Sequence, residues 1–340
     1  MSSAWPSSRR NKSGKEAEVM VRGALVGLIS FLIASMGWEG GIDGKQILRK
    51  TLFEAPELNY VAVRNITLTV GKKKIPIVQK IVHRKTGEEK IEFLSPPSLA
   101  GKVIITGQAR EEELEILSTR KILNPDAFMQ LVKNYDVSLE GRDQVAGRSC
   151  AVIRISPKME GRPSKRLWID TTNYIVMKAQ ETNFDGKDVL LMEISEISFP
   201  LELDRKLFER KQDSKEGISE FEPLAGIQEA KRIVGKELKL PSYIPRGFVL
   251  HEMVAIRSGS SKAVMVGYVD GLCAITILIK AGPGPSLSKE ARAMKIGDVD
   301  GLIKDIGVVR IIQFQTRGLT YTIVSELSEE EIEEIAISCI

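Results

Sequence analysis

Histidine is nearly missing from this 340-residue chain: there are two, His83 and His251, and three cysteines, Cys150, Cys273 and Cys339, with no CxxC pair. So sparse a set excludes a His-rich metal cluster, a zinc ribbon and a dense disulfide framework, and it leaves little for imidazole acid–base chemistry. One disulfide beside one free thiol stays open, and the spacing favours no pairing. Aromatic residues make up 6% of the chain, so its core must be built from Ile, Leu and Val. Neither a GxGxxG fingerprint nor a Walker loop occurs, which removes two common glycine-rich cradles for nucleotide phosphates. What is there is ordinary for a folded protein: 43% hydrophobic and 28% charged residues, at a length that predicts two domains.

The net charge of +4 is unevenly spread. Residues 1–37 hold Arg9, Arg10, Lys12, Lys15 and Arg22 against Glu16 and Glu18, so they account for +3 of it. The rest is almost neutral, and no nucleic-acid surface is expected. The same segment has the three parts of an export signal: a basic opening, an uncharged stretch over 23–38 (GALVGLISFLIASMGW), and small residues Ser35 and Gly37 before Trp38. A helix of that length reaches about 24 Å, short of the ~30 Å hydrocarbon core. A cleaved signal over residues 1–37 is therefore expected, with an uncleaved anchor as the competing reading. No cysteine follows the apolar run, so there is no lipobox. Either way the bulk of the chain works outside the cytoplasm.

After the leader, Asp43 and Gln46 have capping-box spacing ahead of Ile47, Leu48, Thr51 and Ala55, which predicts a short amphipathic helix. The period then changes from helical to alternating. Strands are predicted over 58–70, 75–84, 91–94, 103–106 and 114–117, with a lysine-rich hairpin tip at Lys72, Lys73 and Lys74. Asn124-Pro125-Asp126 opens a second helix through Tyr135. Strands over 137–141, 149–156, 165–170, 174–182 and 189–199 follow. Short turns between sequential strands make an antiparallel meander, without a nucleotide-binding switch point.

Each of the last four strands has one aliphatic side: Ile153 and Ile155; Leu167 and Ile169; Ile175 and Met177; Met192 and Ile194. The sheet is therefore half buried. These eight residues are the candidate lining of an apolar, lipid-binding hollow, and the same pattern equally fits a core filled by covering helices. The order of helix, "LNYVAV", sheet, "VAGRSCAVIRISPK" and "RLWIDTTNYIVMKAQETNFDGKDV" resembles the sigma-E regulatory protein family (RseB/MucB) and the wider LolA/LolB lipoprotein-carrier fold. Leu167-Trp168-Ile169-Asp170, Ile175-Val176-Met177-Lys178 and Asp185-Gly186 sit where those proteins carry a WD-type strand, an apolar strand ending in Lys and a D-x-G hairpin.

The highly charged stretch 205–222 reads as a linker, and a second domain is expected over 223–340. It comprises a helix over 227–234, a turn at Pro245-Arg246-Gly247, strands over 249–256, 263–269 and 273–280, a hairpin across Arg317-Gly318, and a final helix capped by Ser328 and Glu331. Asp270-Gly271 reads as a hairpin turn. Leu240, Pro245, Gly247, Phe248, Asp270, Gly271 and Leu272 resemble the C-terminal half of the same regulatory family, so the likeness spans roughly 42–338 in order.

The expected fold is thus mixed α+β: a curved antiparallel half-barrel over 38–204, covered by helices, followed by a smaller α+β domain. No catalytic set is expected, because His83 and His251 read as strand-edge or surface residues, Glu111–Glu113 as a solvated turn, and Cys150 and Cys273 as small buried residues. No metal or cofactor is expected. The resemblance implies a periplasmic or extracytoplasmic regulator that binds an anti-sigma factor and senses a lipid or lipoprotein acyl chain; a carrier of lipid or lipoprotein is the alternative.

Overall fold

The computed structural model describes residues 43–53, 58–106, 125–209, 220–235, 237–258, 261–284, 287 and 291–340. The leader, the strand expected at 114–117 and the acidic turn at Glu111–Glu113 lie outside them.

Helix α1 (Gly44–Phe53) begins where Asp43 Oδ1 accepts a hydrogen bond from Gln46 N at 2.9 Å, satisfying an orphan amide of the first turn. Ile47, Leu48 and Thr51 are its buried face. The first sheet then forms from β1 (Tyr60–Val70), β2 (Lys73–His83), β3 (Glu89–Ser95), β4 (Val103–Thr106), β5 (Tyr135–Val145), β6 (Arg148–Pro157), β7 (Ser164–Asp170), β8 (Val176–Thr182) and β9 (Asp188–Ser198). Helix α2 (Pro125–Asn134) leads directly into β5. Strand order is β4-β3-β2-β1-β9-β8-β7-β6-β5, antiparallel throughout. Two meanders are therefore joined side by side along β1 and β9. The expected meander is what the short turns produce.

In the stretch expected as a linker, a short 3-10 helix (Arg205–Phe208) buries Phe208, and β10 (Glu220–Pro223) pairs with β11 (Val249–Ser258). Between β10 and β11 lies α3 (Ile227–Val234). The second sheet adds β12 (Ser261–Val269), β13 (Ala274–Ala281), β14 (Arg292–Ile296), β15 (Val299–Asp305), β16 (Arg310–Thr316) and β17 (Leu319–Ser325), in the order β10-β11-β12-β13-β17-β16-β15-β14. Arg317 and Gly318, with φ of 50° and 73°, make the left-handed pair that a two-residue hairpin of β16 and β17 requires. Helix α4 (Glu329–Ile337) is capped by Ser328, whose side chain accepts from Glu331 N, and Glu329–Glu331 place negative charge at the positive end of its dipole. Two large antiparallel sheets with four short α-helices among the described residues make up the molecule.

Candidate functional site

All eight candidate lining residues fall on covered positions of the first sheet. Ile153 and Ile155 lie on β6, Leu167 and Ile169 on β7, Ile175 just before β8, Met177 on β8, and Met192 and Ile194 on β9. None is more than 6% exposed, and all belong to one continuous core with Ile47 and Leu48 of α1 and Leu131 of α2. Cross-strand register explains the contiguity. Ile153 faces Leu167, Leu167 faces Ala179, Ala179 faces Met192, Met192 faces Ile66 and Ile66 faces Ile77, one apolar row over six strands. Register shifts between Trp168 and Ile169, where β8 carries the extra Met177, and between Val63 and Arg64 bend the ladder at two places.

One row further along β1 the same face turns polar. Arg64, opposite Ile194, is buried, and its Nε donates to Gln79 Oε1 at 2.7 Å. Beyond it Tyr60 stacks on His83 with ring centroids 4.8 Å apart, Tyr60 Oη donates to Glu89 Oε2 at 3.4 Å, and His83 Nδ1 lies 3.7 Å from the same oxygen. Burial by itself would raise Glu89, but His83, Arg64 and the Tyr60 hydroxyl together hold it below the usual carboxylate range. The apolar face therefore has one charged, internally balanced end. His83, expected at a strand edge or surface, is largely covered by this stack. His251 is the extra residue where the β11 register shifts.

A second concentration of buried polar groups lies where the two sheets meet. Asp270, fully buried, accepts from Arg162 Nη1 at 2.8 Å and from Tyr135 Oη at 2.7 Å through Oδ2, and from Leu272 N and Cys273 N at 2.9 and 2.7 Å through Oδ1. Arg162 also donates to Arg246 O and lies 4.9 Å from the Phe248 ring. Asn134 donates to Gly247 O and Asp270 O at 3.0 and 2.8 Å. Burial, with the nearby Cys273 and Asp270, pushes the Tyr135 phenol far up, so it stays a neutral donor. Gly271 has φ of +99°, and a Cβ there would lie 2.2 Å from Leu131 N of α2, so only glycine lets the turn approach the helix this closely.

Beside this joint, Lys165 of β7 pairs with Glu181 of β8 at 3.0 Å, facing Glu326 just after β17. Ser328 N donates to Gly161 O at 3.3 Å, and Arg310 lies 4.6 Å from the Phe184 ring at the β8–β9 tip. Asp270-Gly271, which reads as a plain hairpin turn, is thus the plug that docks the second sheet into α2, β5 and Arg162. Its composition serves both readings, and only the partners, more than 100 residues away in sequence, separate them.

The three cysteines are buried free thiols, with burial pushing Cys150 and Cys339 up to about 12. Among the described residues no group of His, Cys, Asp or Glu comes together as a metal-ligand set.

Residues 107–211 match the family described as the MucB/RseB N-terminal domain. No curated protein sequence matches the chain. A crystal structure of MucB in complex with MucA(peri) superposes with a TM-score of 0.60 at 17% identity, covering 87% of this chain and 98% of that one. The MucA/MucB complex of Pseudomonas aeruginosa gives 0.61 at 16% identity, over 87% and 97%. MucB by itself gives 0.55 at 16% identity, over 87% and 96%. The likeness of this chain to the RseB/MucB family, carried in sequence by the Trp168 and Asp270 motifs, is thus matched in fold across both sheets.

Proposed function

Starting from a chain that shares the fold of MucB through both of its sheets, we propose that it is an extracytoplasmic regulatory protein that grips the outer segment of a membrane-anchored anti-sigma factor. Its compartment on this reading is the periplasm or the outer face of the membrane, reached through the 1–37 leader. The observation that carries the reading is the coverage: 87% of this chain aligns with MucB solved together with MucA(peri), second sheet included.

The finer part of the proposal concerns the first domain, read as 38–204 and followed by a 205–222 linker and a 223–340 domain. Its sheet is taken as a half-barrel of the lipoprotein-carrier type, with α1 and α2 as covers and Ile153, Ile155, Leu167, Ile169, Ile175, Met177, Met192 and Ile194 as the lining. Those side chains are nearly fully covered, so an acyl chain enters only by displacing what packs on them. Burial of ten methylenes is worth about 8 kcal/mol, equivalent to micromolar retention before the cost of opening. A ligand that binds only the opened form shifts the population toward it and so reports its presence to the rest of the molecule.

Carriage of lipid or lipoprotein is the second reading, favoured by the apolar row alone. A carrier needs only the first sheet, whereas here the second is plugged into it through Asp270. Pull-down from native membranes separates the two: a regulator retains an anti-sigma factor, and a carrier retains lipid or lipoprotein without one.

A further inference from the structure

The buried charges at the joint do not balance. Lys165, Glu181 and Glu326 converge from β7, β8 and the end of β17, all of them largely withdrawn from water. That is one ammonium for two carboxylates. Lys165 Nζ pairs with Glu181 Oε2, and Glu326 Oε2 accepts from Ala274 N at 3.1 Å. Glu181 Oε1 is buried with no hydrogen-bond partner. Close by, the Cys273 thiol stays protonated because burial and the charges of Asp270 and Glu326 push it up, and Arg310 is engaged by Leu327 O and Asp305. Among the described residues no second cation is paired with the two carboxylates, and the Glu181 Oε1 acceptor sits beside them. Burying an uncompensated carboxylate is costly, and a proton removes the cost while adding a donor.

We propose that the junction between the two sheets is a proton-operated latch, in which Glu326 docks against the Lys165–Glu181 pair as a neutral acid, so that acid tightens the joint and alkali loosens it. Three groups set its response. Burial, with Glu181 opposing Lys165, pushes Glu326 up to about 7 from an ordinary 4.5. For Lys165, burial works downward, but Glu181 and Glu326 outweigh it, so the ammonium persists through neutral pH. A carboxyl whose closed-state value is raised favours closure in acid: the closed joint is fully favoured below about 4.5, loses ground as pH rises, and reaches its weakest above about 7. Between pH 5.5 and 8 the closing equilibrium should weaken about 30-fold.

Hydrogen exchange on the full-length protein tests this. The Ala274 amide, held by Glu326, and the Cys273 amide, held by Asp270, report opening, while the buried Ile312 in the middle of the second sheet reports unfolding of that sheet. After correction for intrinsic exchange, protection at 273 and 274 is expected to fall about 30-fold from pH 5.5 to 8 in the wild type, to stay flat in Glu326→Gln, and to hold at Ile312 in both. Wild-type protection that is flat, a variant with the wild-type pH dependence, or an equal fall at Ile312 would each overturn the latch. Should Glu326→Gln fail to fold, carboxyl carbon-13 titration of wild-type Glu326 decides: a midpoint near 7 upholds it, and one below about 5 refutes it.

Discussion

Replacing Arg162 by Leu removes the guanidinium that holds three groups together: the Asp270 carboxylate, the Arg246 carbonyl and the Phe248 ring. The two charged side chains are 2% and 0% exposed, so the Asp270 carboxylate is left without its counter-ion where water cannot substitute. Breaking one partner of such a pair costs about 3–5 kcal/mol. Two backbone amides and Tyr135 still donate to Asp270, which places the expected loss at the lower end, near 3 kcal/mol. Asp270→Asn keeps the turn's shape and removes the charge, so the double variant should recover part of the loss. A coupling of about 1–3 kcal/mol is expected for residues in direct contact. Urea unfolding followed by tryptophan fluorescence is the assay, with Trp168 in the first sheet as one reporter. Wild type should unfold in one transition, and Arg162→Leu in two, because the sheets no longer share a joint. Single-transition unfolding with a loss under about 0.5 kcal/mol would refute the reasoning, since that is the scale of an ordinary surface substitution.

Three further outcomes follow from the same geometry. Ile169→Asp or Met177→Asp, checked for retained sheet by circular dichroism, should abolish uptake of a fluorescent fatty acid; unchanged uptake removes those positions from the lining. Gly271→Ala should cost at least about 2 kcal/mol in urea melts, because the new methyl meets the Leu131 backbone and the turn's φ is unfavourable; a neutral result would mean that the turn does not sit against α2. Ser328→Ala should cost about 1 kcal/mol through loss of its bond to Glu331 N, read as a shift in the thermal midpoint.

The secondary structure of both sheets was largely legible because it is written in local pattern. The 227–234 helix, the Arg317-Gly318 turn, the Ser328 cap and the alternation of β6 to β9 all follow from neighbours within a few residues. Strands β14 and β15 are not evident in the sequence, since β14 is a short edge with Arg292, Ala293 and Lys295 exposed and little apolar alternation. Strand β10 is hidden in a charged stretch for the same reason. The eight apolar candidates were found by alternation. The polar groups around them were not, because Arg64, Glu89 and His83 look like ordinary surface residues until register sets them on the covered face. The joint is the extreme case. Asp270, Arg162, Tyr135, Lys165, Glu181 and Glu326 are scattered over almost 200 residues of sequence, and no periodicity links them.

Calorimetric titration of the full chain with the outer segment of an anti-sigma factor from the same cell tests the central claim most directly. Saturable binding at micromolar affinity or tighter, weakened when an acyl lipid is added first, is the predicted result. No heat with that segment, alongside saturable uptake of the lipid, would contradict the regulatory account and leave the carrier.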